Sequence, residues 1–126
     1  ILIVDDQDFI RLLLRKMLTQ IGVAQVIEAG DGESGLRQVA EHAPDLVICD
    51  VRMRPLDGFG FVEALRRQPG GETLPVILLT GQADPDTEAR ARAIGITAFL
   101  AKPVQGPALH AQITAAIRAE PPAARS

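Results

Sequence analysis

The sequence predicts an α/β fold in which a parallel sheet is covered by helices on both faces, and three observations predict it. Five short apolar segments rich in Val and Ile recur along the 126 residues. Stretches with apolar residues at helical spacing lie between them. Gly and Pro punctuate most of the junctions. Strands alternating with helices imply right-handed crossovers and therefore parallel pairing.

The opening run, Ile1 to Val4, is the first strand, and its continuous apolarity is the pattern of a strand buried on both faces. A helix follows, with Ile10, Leu13, Leu14, Met17, Leu18 and Ile21 on one face and Gly22 placed to cap its end. Phe9 and Leu12 fall off that stripe and are expected at the surface, where they could meet a helical partner. The second strand is read at Ala24 to Glu28, followed by Gly30 and Gly32 as turn formers. Leu36, Val39, Ala40 and Ala43 mark the second helix, which stops before Pro44. The third strand, Asp45 to Cys49, runs directly into Asp50. Phe61, Val62 and Leu65 mark the third helix, broken by Pro69-Gly70-Gly71.

Leu74 to Leu79 is the fourth strand, and an Ala-rich fourth helix from Asp86 to Ile94 ends at Gly95. The fifth strand is read at Thr97 to Leu100. The fifth helix, Pro107 to Ala119, carries Leu109, Ile113 and Ile117 and stops at Pro121-Pro122. Residues 1–119 thus form one domain, and 120–126 read as a Pro/Ala-rich tail or the start of a linker.

Size and composition agree with one core. At 47% hydrophobic residues the chain is globular, and no apolar run is long enough for a bilayer span, so no membrane association is expected. Nothing ahead of Ile1 resembles a secretory leader, and a start inside an apolar stretch reads as a fragment lacking its first few residues. Cys49 is the single cysteine, which suits a reducing compartment, so a cytoplasmic location is expected. The net charge is −3 and the 13 basic residues are scattered, which argues against direct nucleic-acid binding. Only Lys16 and Lys102 among them are lysines.

In such a sheet ligands bind outside the C-terminal ends of the strands. Asp5 and Asp6 follow the first strand, Asp50 the third, Thr80 the fourth, and Lys102-Pro103 the fifth. Crowded carboxylates repel unless a cation shares them, and oxygen-only ligands suit Mg²⁺ or Mn²⁺. A metal with a Lys and a Thr opposite is built for a phosphoryl group, which an Asp can accept as a nucleophile.

Asp5-Asp6, the run Leu46 to Asp50 with Met53 and Asp57-Gly58, Leu79-Thr80-Gly81, and Leu100-Ala101-Lys102-Pro103 together resemble the receiver domain of two-component response regulators. The resemblance covers essentially the whole chain. It implies a flavodoxin-like, doubly wound sheet of order 2-1-3-4-5, with Asp50 as phosphoacceptor from a phosphohistidine on a kinase or phosphotransfer protein. It implies Mg²⁺ held by Asp6 and Asp50, by Asp5 through water, and by the backbone carbonyl of Arg52. Lys102 and Thr80 would bind phosphoryl oxygens, and Thr80 with Phe99 would switch the surface of the fourth helix, fifth strand and fifth helix. Such a domain signals, catalysing its own phosphorylation and dephosphorylation, and works with a linked output domain or through phosphorylation-dependent dimers.

The chain departs from the family pattern at Arg54, which intervenes between Met53 and Pro55, so the loop over the metal is expected to take a different path. Val104 stands where an aromatic often follows Lys-Pro, and Arg52 and Gln82 occupy the positions that influence phosphoryl lifetime in the family.

Two other readings compete. An aspartyl-phosphate hydrolase would place a second acid two residues after its nucleophile, where Arg52 stands. A phosphorylation-independent interaction module would not need the complete acid set. Gly30-Asp-Gly-Glu-Ser-Gly35 matches a dinucleotide-binding pattern, but Asp31 and Glu33 put negative charge where phosphates would lie. Cys49 is expected as a small buried hydrophobe, and His42 and His110 as solvated or capping groups away from the rim.

Overall fold

The computed structural model describes residues 1–81, 85–96 and 98–118. Along the chain run β1 (Leu2–Val4), α1 (Asp8–Gln20), β2 (Ile27–Ala29), α2 (Gly32–His42), β3 (Val47–Asp50), α3 (Gly58–Arg67), β4 (Val76–Thr80), α4 (Pro85–Ala93), β5 (Ala98–Ala101) and α5 (Gly106–Arg118). All strand pairings are parallel and the order is β2-β1-β3-β4-β5, as expected. Ladder partners Leu2 with Val47, and Asp50 with Leu79, set β1, β3 and β4 level at their C-terminal ends.

Strand alternation splits the core into two layers. Leu2, Val4, Val47, Cys49, Val76 and Leu78 pack with Val39 of α2, Phe61, Val62 and Leu65 of α3, and Ala91 of α4. Ile3, Ile48, Ile77, Leu79 and Leu100 pack with Leu14 and Leu18 of α1 and Leu109 and Ile113 of α5. A sheet covered on both sides needs apolar residues at consecutive positions, which is why β1, β3 and β4 read as unbroken runs. The edge strands differ: β2 and β5 are only partly buried, because each lacks a neighbour on one side. No helix among the described residues is long and apolar enough to cross a membrane.

Boundaries move by a few residues from the sequence reading. β2 begins at Ile27, three residues later than expected, since the ladder with Leu2 to Val4 admits only Ile27–Ala29. Asp50 and Thr80 lie inside the last rungs of β3 and β4 rather than just beyond them. The second helix closes at His42, and Ala43 takes a left-handed cap at φ 45. Gly22 and Gly95 have the positive φ expected of helix ends. Phe9 and Leu12 are 72% and 52% exposed, as their place off the stripe required. Thr97, Gln82, Ala119 and the tail at 120–126 lie outside the described residues.

Gly30 stands in the bend between β2 and α2, as expected of a turn former, whereas Gly32 needs correction, because it already lies within α2. Gly32 opens α2, and a Cβ there would lie 2.8 Å from a Leu56 methyl; Gly35 is closed in likewise by Phe61 and Val4. These glycines admit neighbouring side chains, and the Asp31 carboxylate caps the helix by accepting from Ser34 N–H at 2.8 Å. A pyrophosphate has no place at an N-terminus already filled by a carboxylate. Asp31→Ala should lower stability by about 1 kcal/mol, read as a shifted urea midpoint with unchanged slope.

Candidate functional site

Each chemistry-bearing side chain stands at the carboxyl end of a strand, where the apolar ladder holds the backbone and the last residue emerges at the rim. Asp5 follows β1 and is fully buried; Asp50 ends β3 at 4% exposure, and Thr80 ends β4 at 6%. Asp6 is exposed and Lys102 half-buried just past β5. By alternation Asp50 continues the side of Ile48, covered by α1 and α5, whereas Thr80 continues the side of Leu78.

The acids converge. One carboxylate oxygen from each of Asp5, Asp6 and Asp50 lies within 4.8 Å of the others. Lys102 Nζ stands 3.0 Å from Asp50 Oδ1 and 3.9 Å from Asp5 Oδ2. Asp5 Oδ1 accepts a hydrogen bond from Gln7 N–H at 2.9 Å. Its Oδ2 is buried without a hydrogen-bond partner, the distance to Lys102 being too long for one. Burial pushes the Asp5 carboxyl above its ordinary range; the Gln7 hydrogen bond opposes this, the charge on Asp50 adds to it, Lys102 opposes it and Asp6 adds to it. An orphaned buried oxygen beside two further carboxylates is the donor set of a hard divalent cation. The residues therefore fit Mg²⁺ or Mn²⁺.

Beside the acids opens a cleft of about 490 Å³ lined by Gln7, Asp50, Arg52, Thr80, Gly81 and Lys102. Only Asp50 among the three acids lines it, together with Thr80, which carries a hydroxyl, and Lys102. The cleft has room for a small polyoxygen anion against Asp50 and Lys102. Arg54–Pro55 and Lys102–Pro103 are cis peptides.

The other sequence-predicted residues lie as follows. Phe99 is partly buried against the core layer that includes Ala91 and Ile96, on the Thr80 side of the sheet. Arg52 lines the cleft. Cys49 is fully buried, and burial followed by the nearby charges of Asp50, Asp5 and Asp57 holds its thiol well above the ordinary range, so it stays a protonated hydrophobe. His42 and His110 are exposed and line no part of the cleft.

Sequence reasoning missed Arg11, and it named Gly58 only within the Asp57-Gly58 motif, without a role. Arg11 donates to the Asp5 carbonyl from α1, and a Cβ on Gly58 would fall 2.5 Å from the Asp50 carbonyl. For Arg11 a signal existed in Glu28, a carboxylate inside an apolar strand with Arg11 and Arg15 one turn apart on the preceding helix.

Comparison with known proteins places this geometry among relatives. Residues 1–114 match the family model of the response regulator receiver domain. The chain is 45% identical to the probable chemotaxis protein CheY of Rhizobium etli over 82% of its length and 80% of that protein. It is 37% identical to the transcriptional regulatory protein AfsQ1 of Streptomyces coelicolor over 94% of its length, but spans only 51% of that protein. Among solved structures, the chemotaxis protein CheY4 of Vibrio cholerae superposes with a TM-score of 0.86 at 31% identity, covering 91% of this chain and 95% of that one.

Proposed function

The chain belongs to the response regulator receiver family, and from that premise we propose that it accepts a phosphoryl group on Asp50 from a phosphohistidine of a kinase or phosphotransfer protein. The observation that carries the reading is the position of Asp50, the one acid that both belongs to the carboxylate cluster and faces the cleft with Thr80 and Lys102. Asp6 and Asp50, with Asp5 and the Arg52 carbonyl, would hold Mg²⁺. When bound, the ion supplies charge neutralisation for the acids and for the incoming phosphoryl oxygens.

The chain's own residues do the rest. β3 holds the Asp50 carboxylate in line for attack, because its backbone is laddered to β4 and buried. The Lys102 ammonium, already 3.0 Å from Asp50, would follow the developing negative charge onto a phosphoryl oxygen. Thr80 offers a hydroxyl from the lining of the same cleft. Phe99, on the same side of the sheet two rungs away, would repack as Thr80 is drawn in, altering the surface of α4, β5 and α5.

The reading extends to a cytoplasmic signalling domain over residues 1–119. Its output would come through a linked domain beyond 120–126 or through a phosphorylation-dependent dimer, without direct DNA contact. Arg52, in place of a second acid, speaks against a hydrolase acting on a separate substrate. The test is labelling by acetyl phosphate, read by intact-protein mass: one phosphoryl group should be gained with Mg²⁺ and none with chelator. Labelling indifferent to Mg²⁺ would overturn the metal-dependent reading.

Asp5→Asn separates the pocket's cost from its use. Without metal, a buried carboxylate with one oxygen left without a hydrogen bond and facing two like charges destabilises the fold. The variant should melt higher than the metal-free parent, by roughly 1 kcal/mol or about 4 °C, and should lose the upward shift that Mg²⁺ gives the parent. Scanning calorimetry with and without Mg²⁺ reads both.

A further inference from the structure

Asp5 is held at three of its four polar positions. Its N–H donates to the Ala29 carbonyl of β2 at 3.1 Å, and its Oδ1 accepts from Gln7 N–H. Its carbonyl lies past the end of the β1 ladder and accepts from Arg11 at 2.5 Å. Only Oδ2 is left over, buried beside Asp50 and Asp6.

Arg11 is itself locked. Its Nε donates to Glu28 Oε1 at 3.2 Å and its other terminal nitrogen to the Asp8 carboxylate, and the side chain is 15% exposed. Glu28 is held in turn by Arg15, whose Nε stands 2.6 Å from Oε2 and which also donates to the Val26 carbonyl. The packing of α1 does not call for this arginine, since the apolar stripe of the helix lies elsewhere. A guanidinium fork is rigid where an ammonium is not, and two acids engaging it keep its charge from swinging onto the Asp5, Asp6 and Asp50 carboxylates.

We propose that Arg11, oriented by Glu28, is a positioning residue for the acid pocket, fixing the Asp5 main chain so that Oδ2 stays where a divalent cation is received. The inference rests on the metal-dependent reading above. Groups that orient a ligand from behind typically change metal affinity by about 10- to 100-fold when removed.

The test is calorimetric titration of the metal-free protein with MgCl₂, beside its melting temperature. Arg11→Met keeps the aliphatic stem and removes the fork; its Mg²⁺ dissociation constant should rise about tenfold while the metal-free melting temperature stays within a few degrees. The Mg²⁺ concentration for half-maximal labelling by acetyl phosphate should rise by the same factor, with the rate at saturating Mg²⁺ changed far less. Glu28→Gln should weaken Mg²⁺ binding too, and the double variant should be no weaker than Arg11→Met, because both act through one contact. Arg11→Lys should fall between parent and Arg11→Met.

Parent-like Mg²⁺ affinity in Arg11→Met, or a lowered melting temperature with unchanged affinity, would show a purely structural role and overturn the proposal. If Arg11→Met does not fold, Arg11→Lys and Glu28→Gln decide by the same readouts. A parent protein that binds no Mg²⁺ would instead bring down the functional reading itself.

Discussion

Asp50→Asn is expected to lose phosphoryl incorporation from acetyl phosphate by at least about a thousandfold while keeping the fold. The side chain keeps its shape, and its oxygen can still accept from Lys102 Nζ at the 3.0 Å site of Asp50 Oδ1. What is lost is the anionic nucleophile. Asp5 cannot replace it, being fully buried with Oδ1 engaged by Gln7. Asp6 belongs to the same acid cluster but does not line the cleft with Thr80 and Lys102. Mass spectrometry of the acetyl phosphate reaction, with a melting curve of the same sample, reads both halves. Incorporation at the parental rate in folded Asp50→Asn would place the acceptor elsewhere and remove the basis for the whole signalling reading.

The rim was legible in the sequence because parallel strands buried on both faces read as unbroken apolar runs, and a charge at the end of such a run is conspicuous. Asp50 after Leu46 to Cys49, and Lys102 after Leu100 and Ala101, needed no tertiary information. Order β2-β1-β3-β4-β5 came with the family resemblance, since the strand pattern alone does not say where the direction of winding reverses.

What stayed hidden is non-local. The start of β2 at Ile27 is one such feature, since nothing in Ala24 to Glu28 says which rungs Leu2 to Val4 will take. The edge strands resemble the central ones in composition, so their partial exposure shows only in the folded sheet. The packing role of Gly32 is another, since its neighbour, Leu56, arrives from a loop 24 positions later in the chain. The bond from Arg11 to Glu28 joins residues 17 apart and follows no helical or strand period, so the acid in the strand hints at a basic partner but only the folded chain says which contact forms.

Gly58→Ala should damage stability and phosphorylation together, because the same backbone serves both. A Cβ there would lie 2.5 Å from the Asp50 carbonyl oxygen and 2.9 Å from Val51 Cα, contacts with main chain that no side-chain rotation relieves. Backbone conformation is not the constraint, since Gly58 has no positive φ. Neither wall yields easily. On one side Val51 N–H is bound to the Leu79 carbonyl at 3.0 Å and Asp50 is paired in the ladder. On the other, α3 is fixed by buried Phe61, Val62 and Leu65 and capped by Asp57, whose Oδ1 accepts from Gly60 N–H at 2.8 Å. Forcing a methyl into such a contact costs about 1–3 kcal/mol, more than the roughly 1 kcal/mol that Ala gains over Gly in a helix. The displacement passes directly into Asp50, and misplacing a nucleophile by an ångström costs about 100-fold in rate. Urea denaturation and the initial rate of acetyl phosphate labelling measure the two effects. Gly106→Ala is the control: it opens α5 with nothing within 4 Å of the added Cβ and no positive φ, so it should be neutral or stabilising. Equal behaviour of the two variants would mean that the close approach of α3 to the acceptor strand does not hold Asp50 in place.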